Sequence, residues 1–237
     1  MDLDVDVPRI EPVRSTLDLS GGTLETAEIR LFGLPRGAAL LLMDEGGLDT
    51  LAPELMNRLA EHGFESLAAD LGSLALEDAG SVTAVEELLD VLAERGWSRD
   101  QVGVVGYGGG GAVALEAARD LTLGAAVSVS PRGVLDVAEP AVRSPWLGMF
   151  GELDEEMPLA AVLDLESRVW RGTEFSRLVV YPGVGAGFYR ASASSLDHAA
   201  SFDSWQRVVE WLNVRVAPRL SPIAERWAER QHIHQAR

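Results

Sequence analysis

Residues 101–119, QVGVVGYGGGGAVALEAAR, constrain this chain more than any other stretch. Val102, Gly103, Val104 and Val105 form a short, largely β-branched run, the pattern of a strand buried on both faces of a parallel sheet. Gly106, Tyr107, Gly108, Gly109 and Gly110 follow as a bend, and the helix after them carries Ala112, Ala114, Ala117 and Ala118, small enough to let its backbone approach neighbouring strands. A residue with a Cβ held in a sharp strand-to-helix turn costs about 1–3 kcal/mol. Glycine adopts such angles without that cost, and the centre of this bend, Gly108, has no side chain at all. The bend does not combine a G-x-G-x-x-G pattern with a downstream ribose-binding acid in a first βαβ unit, and it lies late in the chain, so it fits a dinucleotide-binding turn poorly.

The rest of the chain supplies the sheet that such a unit needs. An antiparallel pair over 15–19 and 23–32 turns at Ser20, Gly21 and Gly22. Buried strands are expected at 38–43, 64–69, 125–130, 146–150 and 177–181. Helices are expected at 51–62, with Pro53 in the first turn and Gly63 as the stop, from Ser81 as cap to Gly96, over 158–170 and over 203–215. Residues 132–143 read as irregular. Strands alternating with helices give an α/β fold, a mostly parallel, doubly wound sheet with helices on both faces. One domain over 1–220 and a C-terminal tail over 221–237, with room for a short helix, account for the 237 residues.

Composition narrows the chemistry. There is no Cys, hence no disulfide framework, thiolate metal site or cysteine nucleophile. The net charge is −17, with 20 Arg and no Lys. That balance argues against nucleic acid or an anionic membrane as partner, and the lack of Lys excludes Schiff-base chemistry. The acidic start MDLDVDVPRIEP is unlike a secretory leader, and no stretch reaches transmembrane length, so a soluble cytoplasmic protein is expected. No cofactor and no metal site are expected; a homo-oligomer or a protein partner stays open.

Five pieces in order resemble the dienelactone hydrolase family of α/β hydrolases over about 16–212. They are LMDE at 42–45; GFESLAADL at 63–71; VGYGGGG at 105–111, shaped like a nucleophile elbow, G-x-Nuc-x-G; GELD at 151–154; and YPGVGAGFYR at 181–190. The resemblance implies a nucleophile, an acid and a histidine base in that chain order. It places the acid at Asp154, the family's glutamate at Glu45 and a substrate-contacting arginine at Arg190. The nucleophile position then falls on Gly108 and the base position on Ala186, so two of the three triad positions lack the groups that make bonds and move protons. A triad acts as a unit, and losing either member removes most of the acceleration.

Two functions remain open on these residues. One is a dienelactone hydrolase-like protein without catalysis, holding a small carboxylate-type molecule or a protein partner. Glu45, Gly46, Tyr107, Gly109 and Arg190 would then contact the ligand, with the amides around Gly109 and Gly110 at the start of the elbow helix facing an anion. The other is a hydrolase or isomerase acting on a lactone- or ester-like molecule through Asp154 and Glu45, two carboxylates whose proton affinities would be driven apart if buried together with Asp44. His198, in SSLDHAA before the last helix, is the histidine best placed to be recruited, although a solvated histidine at a helix entry is the plainer reading. Ser128 and Ser130 read as packing or capping residues.

Overall fold

The computed structural model describes residues 9–44, 46–71, 78–137, 141–171, 175–190, 194–221, 223–224 and 226–227. Eight strands make one sheet: β1 (Val13–Leu19), β2 (Gly22–Ile29), β3 (Gly37–Met43), β4 (Phe64–Asp70), β5 (Val102–Tyr107), β6 (Ala125–Val129), β7 (Trp146–Gly151) and β8 (Ser176–Tyr181). Their order across the sheet is β1-β2-β4-β3-β5-β6-β7-β8. The pairs β1/β2 and β2/β4 are antiparallel and all others parallel. The central strands β3, β5, β6 and β7 are buried along their whole length, as apolar runs without polar alternation require.

Among the described residues, the α-helices flanking the sheet are α1 (Gly47–Thr50), α2 (Ala52–Glu61), α3 (Asp78–Glu94), α4 (Gly109–Asp120), α5 (Leu159–Val169) and α6 (Ser195–Arg215). Alternate residues of β3 serve the two faces. Ala39, Leu41 and Met43 pack with Leu55, Met56 and Leu59 of α2 and with Val208, Trp211 and Leu212 of α6. Ala38, Leu40 and Leu42 pack with Leu88, Leu89 and Leu92 of α3 and Ala114 and Ala117 of α4. Leu115 and Ala118 of α4 join Val162, Leu165 and Val169 of α5 over the far end of that second face. The expected α/β fold, a mostly parallel sheet wound on both sides, is what the chain adopts.

Two helices begin earlier than their sequence signals suggest. α3 starts at Asp78, so Ser81 lies inside it and does not cap it. α6 starts at Ser195, capped by Ser194, whose side chain accepts from the Asp197 amide. The polar residues at 195–202 hide that beginning, because the buried positions run from Ala200 to Leu212. His198 therefore sits on the first turn of α6, with its amide bonded to the Ser194 carbonyl at 3.0 Å. Residues 72–77 and most of 221–237 lie outside the described residues.

Candidate functional site

The chain reverses its winding direction around β3: β4 lies on one side of it and β5 on the other. The crevice at the carboxyl ends of β3 and β5 is where an open parallel sheet accepts ligands. The β5–α4 bend stands at that crevice. Gly108, at φ 57 and ψ −122, is the residue before the first turn of α4, a conformation strained for any residue with a side chain. The neighbouring glycines are demanded by contact. A Cβ on Gly106 would come within 2.7 Å of the Gly111 amide nitrogen and closer still to the Gly110 carbonyl; one on Gly110 would come within 2.7 Å of the Leu42 carbonyl carbon. The start of α4 is pressed against β3 and β5, and only glycine fits between.

The space that a side chain at Gly108 would fill belongs to Asp44, the residue after β3. A Cβ on Gly108 would lie 2.9 Å from Asp44 Cγ, closer to Asp44 Oδ2, and 2.8 Å from Tyr189 Oη. Asp44 Oδ1 accepts the Gly109 amide at 3.2 Å. Its Oδ2 accepts from Arg190 at 3.1 Å and makes a short ion pair with Arg132. The bond to Asp44 raises the Arg132 guanidinium further above its already high ordinary value. Arg132 is held in place from the bend itself, its amide bonding to the Gly108 carbonyl at 3.0 Å. The anion that Gly109 and Arg190 meet is thus a carboxylate of the same chain.

The other sequence candidates divide. Glu45 lies outside the described residues. Gly46 spends its amide on Asp70 at 3.1 Å. Asp154, 3% exposed, accepts from the amides of Glu156 at 2.9 Å and Met157 at 3.2 Å in its own loop, and neither Asp44 nor a histidine is among its hydrogen-bond partners. Ala186 is exposed in the turn after β8. Ser128 is a packing residue, donating to the Gly111 carbonyl at 2.7 Å and accepting from Trp146 Nε1 at 2.9 Å. Ser130 has φ 43, and its hydroxyl accepts the Gly187 amide at 2.7 Å, tying the end of β6 to the loop after β8. Among the described residues no serine hydroxyl bonds an imidazole, and no group of three His, Cys, Asp or Glu is placed to hold a metal.

Tyr107 is 3% exposed and meets Tyr189 edge-on, ring centroids 5.2 Å apart; burial pushes its hydroxyl well above the usual range, so it stays a neutral phenol. Beyond this pair opens a cleft between α2 and α6 of about 320 Å3. Sequence reasoning missed Arg132, Tyr189 and this cleft. The signal for Arg132 was positional: it follows β6, neighbour of the elbow strand, at the same edge. Spacing alone does not say that Asp44, one of several acids in the sequence, turns inward. No helix among the described residues is long and apolar enough to cross a membrane.

The model of the dienelactone hydrolase family matches residues 44–215. The Escherichia coli O157:H7 protein called "Putative carboxymethylenebutenolidase" is 26% identical over 180 residues, covering 70% of this chain and 66% of the relative. A protein of that name from Methylorubrum extorquens is 24% identical over 184 residues, 70% of this chain and 62% of its own. The chain thus spans a little under two thirds of the length of both. Among solved structures, the "Putative Dienelactone Hydrolase" of Klebsiella pneumoniae subsp. pneumoniae superposes with a TM-score of 0.71 at 19% identity, over 86% of this chain and 98% of the other, which establishes the shared fold.

Proposed function

Since the chain belongs to the dienelactone hydrolase family, we propose that it is a member lacking the family's nucleophile and histidine base. In this reading it keeps the hydrolase framework as a module that binds a small carboxylate-type molecule and does not hydrolyse it. The names of its relatives point to lactone or ester chemistry, and that chemistry needs an attacking oxygen or sulfur at the bend and a base to take its proton. The observation that carries the reading is Asp44: its carboxylate lies where a side chain at Gly108 would have to be, and it holds the Gly109 amide. In a working hydrolase that amide would stabilise the charge developing on the substrate oxygen. Two arginines hold Asp44 there. Asp154, bonded to its own loop amides, supports the loop.

The direct test is hydrolysis of 4-nitrophenyl acetate and of a dienelactone. The expected rate equals that of buffer, with no difference between the wild type and Asp154→Ala; a wild-type rate that Asp154→Ala abolishes would overturn the reading. A constructive test complements it. Gly108→Ser with Ala186→His should yield little esterase activity while Asp44 fills the site, and adding Asp44→Ala should release some.

A further inference from the structure

With Asp44 seated at the bend, a bound ligand needs other space, and the adjoining cleft between α2 and α6 offers it. Its volume, about 320 Å3, is that of a small-molecule site. Three aromatic rings, Tyr107, Tyr189 and Trp205, form part of its wall. Two guanidinium groups lie on those rings: Arg58 is 5.6 Å from the centroid of Trp205, and Arg190 is 5.6 Å from that of Tyr189. Rings and cations side by side suit a flat molecule bearing a negative charge.

The charge balance points the same way. Glu54 is the one carboxylate among the lining residues described, against the guanidinium groups of Arg58 and Arg190, in a chain whose net charge is −17. Glu54 bonds Arg58 at 2.7 Å and Asp44 bonds Arg190 at 3.1 Å. A guanidinium has five N–H donors, so one such bond leaves it others to offer.

We propose that the α2–α6 cleft is a binding site for a small aromatic carboxylate, its ring against Trp205 and Tyr107 and its carboxylate on Arg58 and Arg190. This rests on the non-hydrolytic reading and gives that module a ligand class and a place beside the elbow.

Benzoate is the probe, with acetate and benzyl alcohol as controls for ring and charge, titrated calorimetrically into the wild-type protein. Saturable benzoate binding is expected, with both controls at least about tenfold weaker, since each forfeits one of the two recognition elements. Arg58→Gln should weaken benzoate about tenfold, and Arg58→Lys should recover part of that. Trp205→Phe keeps a ring and should bind within about threefold of wild type while losing the benzoate-dependent change in tryptophan emission. Unchanged melting temperatures for these variants would show that the fold is intact. Absence of saturable benzoate binding in the millimolar range, equal binding of acetate, or an Arg58→Gln variant that binds like wild type would each overturn the proposal. Turnover of 4-nitrophenyl acetate, measured separately, bears on the non-hydrolytic reading alone; failed benzoate binding without turnover sinks the cleft and leaves that reading standing.

Discussion

The bend between β5 and α4 and the two loops after β7 and β8 meet at one edge of the sheet, and they are held in opposite ways. At the bend the backbone is held tightly while no side chain remains at its centre: Gly108 sits at φ 57, and Gly106 and Gly110 are boxed in by backbone atoms. In the loop after β7 a buried carboxylate, Asp154, is held by its own loop amides. After β8, Ala186 is an exposed turn residue. Packing protects backbone geometry whatever the chemistry, because a shifted strand or helix start is felt across the core. A side chain held only by its task has no such protection and takes the nearest available partners.

This contrast breaks first if the bend is not held by packing. Gly106→Ala puts a Cβ against backbone atoms of Gly110 and Gly111 that belong to a buried helix start and cannot swing aside. The expected loss is about 4 kcal/mol or more in urea unfolding, at the severe end for a single substitution. A loss under about 1 kcal/mol would mean that α4 sits loosely on β5.

The next largest effect separates strain from occupancy. Gly108→Ser meets both a positive φ and the Asp44 carboxylate, and it should cost about 2–4 kcal/mol. In an Asp44→Ala background the clash with the carboxylate is gone, leaving the backbone term, about 1–3 kcal/mol, and the close approach to Tyr189 Oη. The double-mutant cycle should therefore show a coupling of at least about 1 kcal/mol. Additive effects would mean that Asp44 does not fill the space beside Gly108.

The fold was largely legible because its signals are local and repeated: the valine run of β5, the apolar run of β3, the stop at Gly63. What escaped was settled by tertiary contact. Ser195–Arg215 begins with Leu196, Asp197 and His198, a mixture that carries no period, and its extent depends on the Ser194 cap and on packing from Ala200 onward. At the bend, the glycine could be read from the sequence, since a strand–turn–helix pattern fixes its position. That Asp44 fills the bend could not, because the sequence offers adjacent acids there and only the turn after β3 decides where Asp44 points. Arg132, from a segment read as irregular, reaches Asp44 across 88 positions of sequence, a pairing that no local pattern encodes.

A smaller effect sharpens the comparison from the side of the loops. If Asp154 is a loop support, Asp154→Ala should cost about 1–3 kcal/mol by stranding the Glu156 and Met157 amides. Asp154→Asn keeps an acceptor oxygen and should cost about half as much or less. Chemical denaturation of the three proteins decides it; equal losses for Asn and Ala would show that the negative charge itself, and not the accepted bonds, is what the position needs.

The smallest effect lies where the two regions touch. Ser130 follows β6 at φ 43, in the left-handed region, and its hydroxyl accepts the Gly187 amide of the loop after β8. Ser130→Ala and Ser130→Gly both lose that bond, at a common cost of about 1 kcal/mol. They differ in the backbone. Glycine removes a left-handed penalty of about 1–2 kcal/mol, offset by the roughly 0.5–1 kcal/mol it loses through a more disordered unfolded chain. Ser130→Gly should therefore be more stable than Ser130→Ala by about 0.5–1 kcal/mol. The reverse order would place the strain of this edge elsewhere and make the bond to Gly187 a consequence of the loop, with no part in setting the conformation of Ser130.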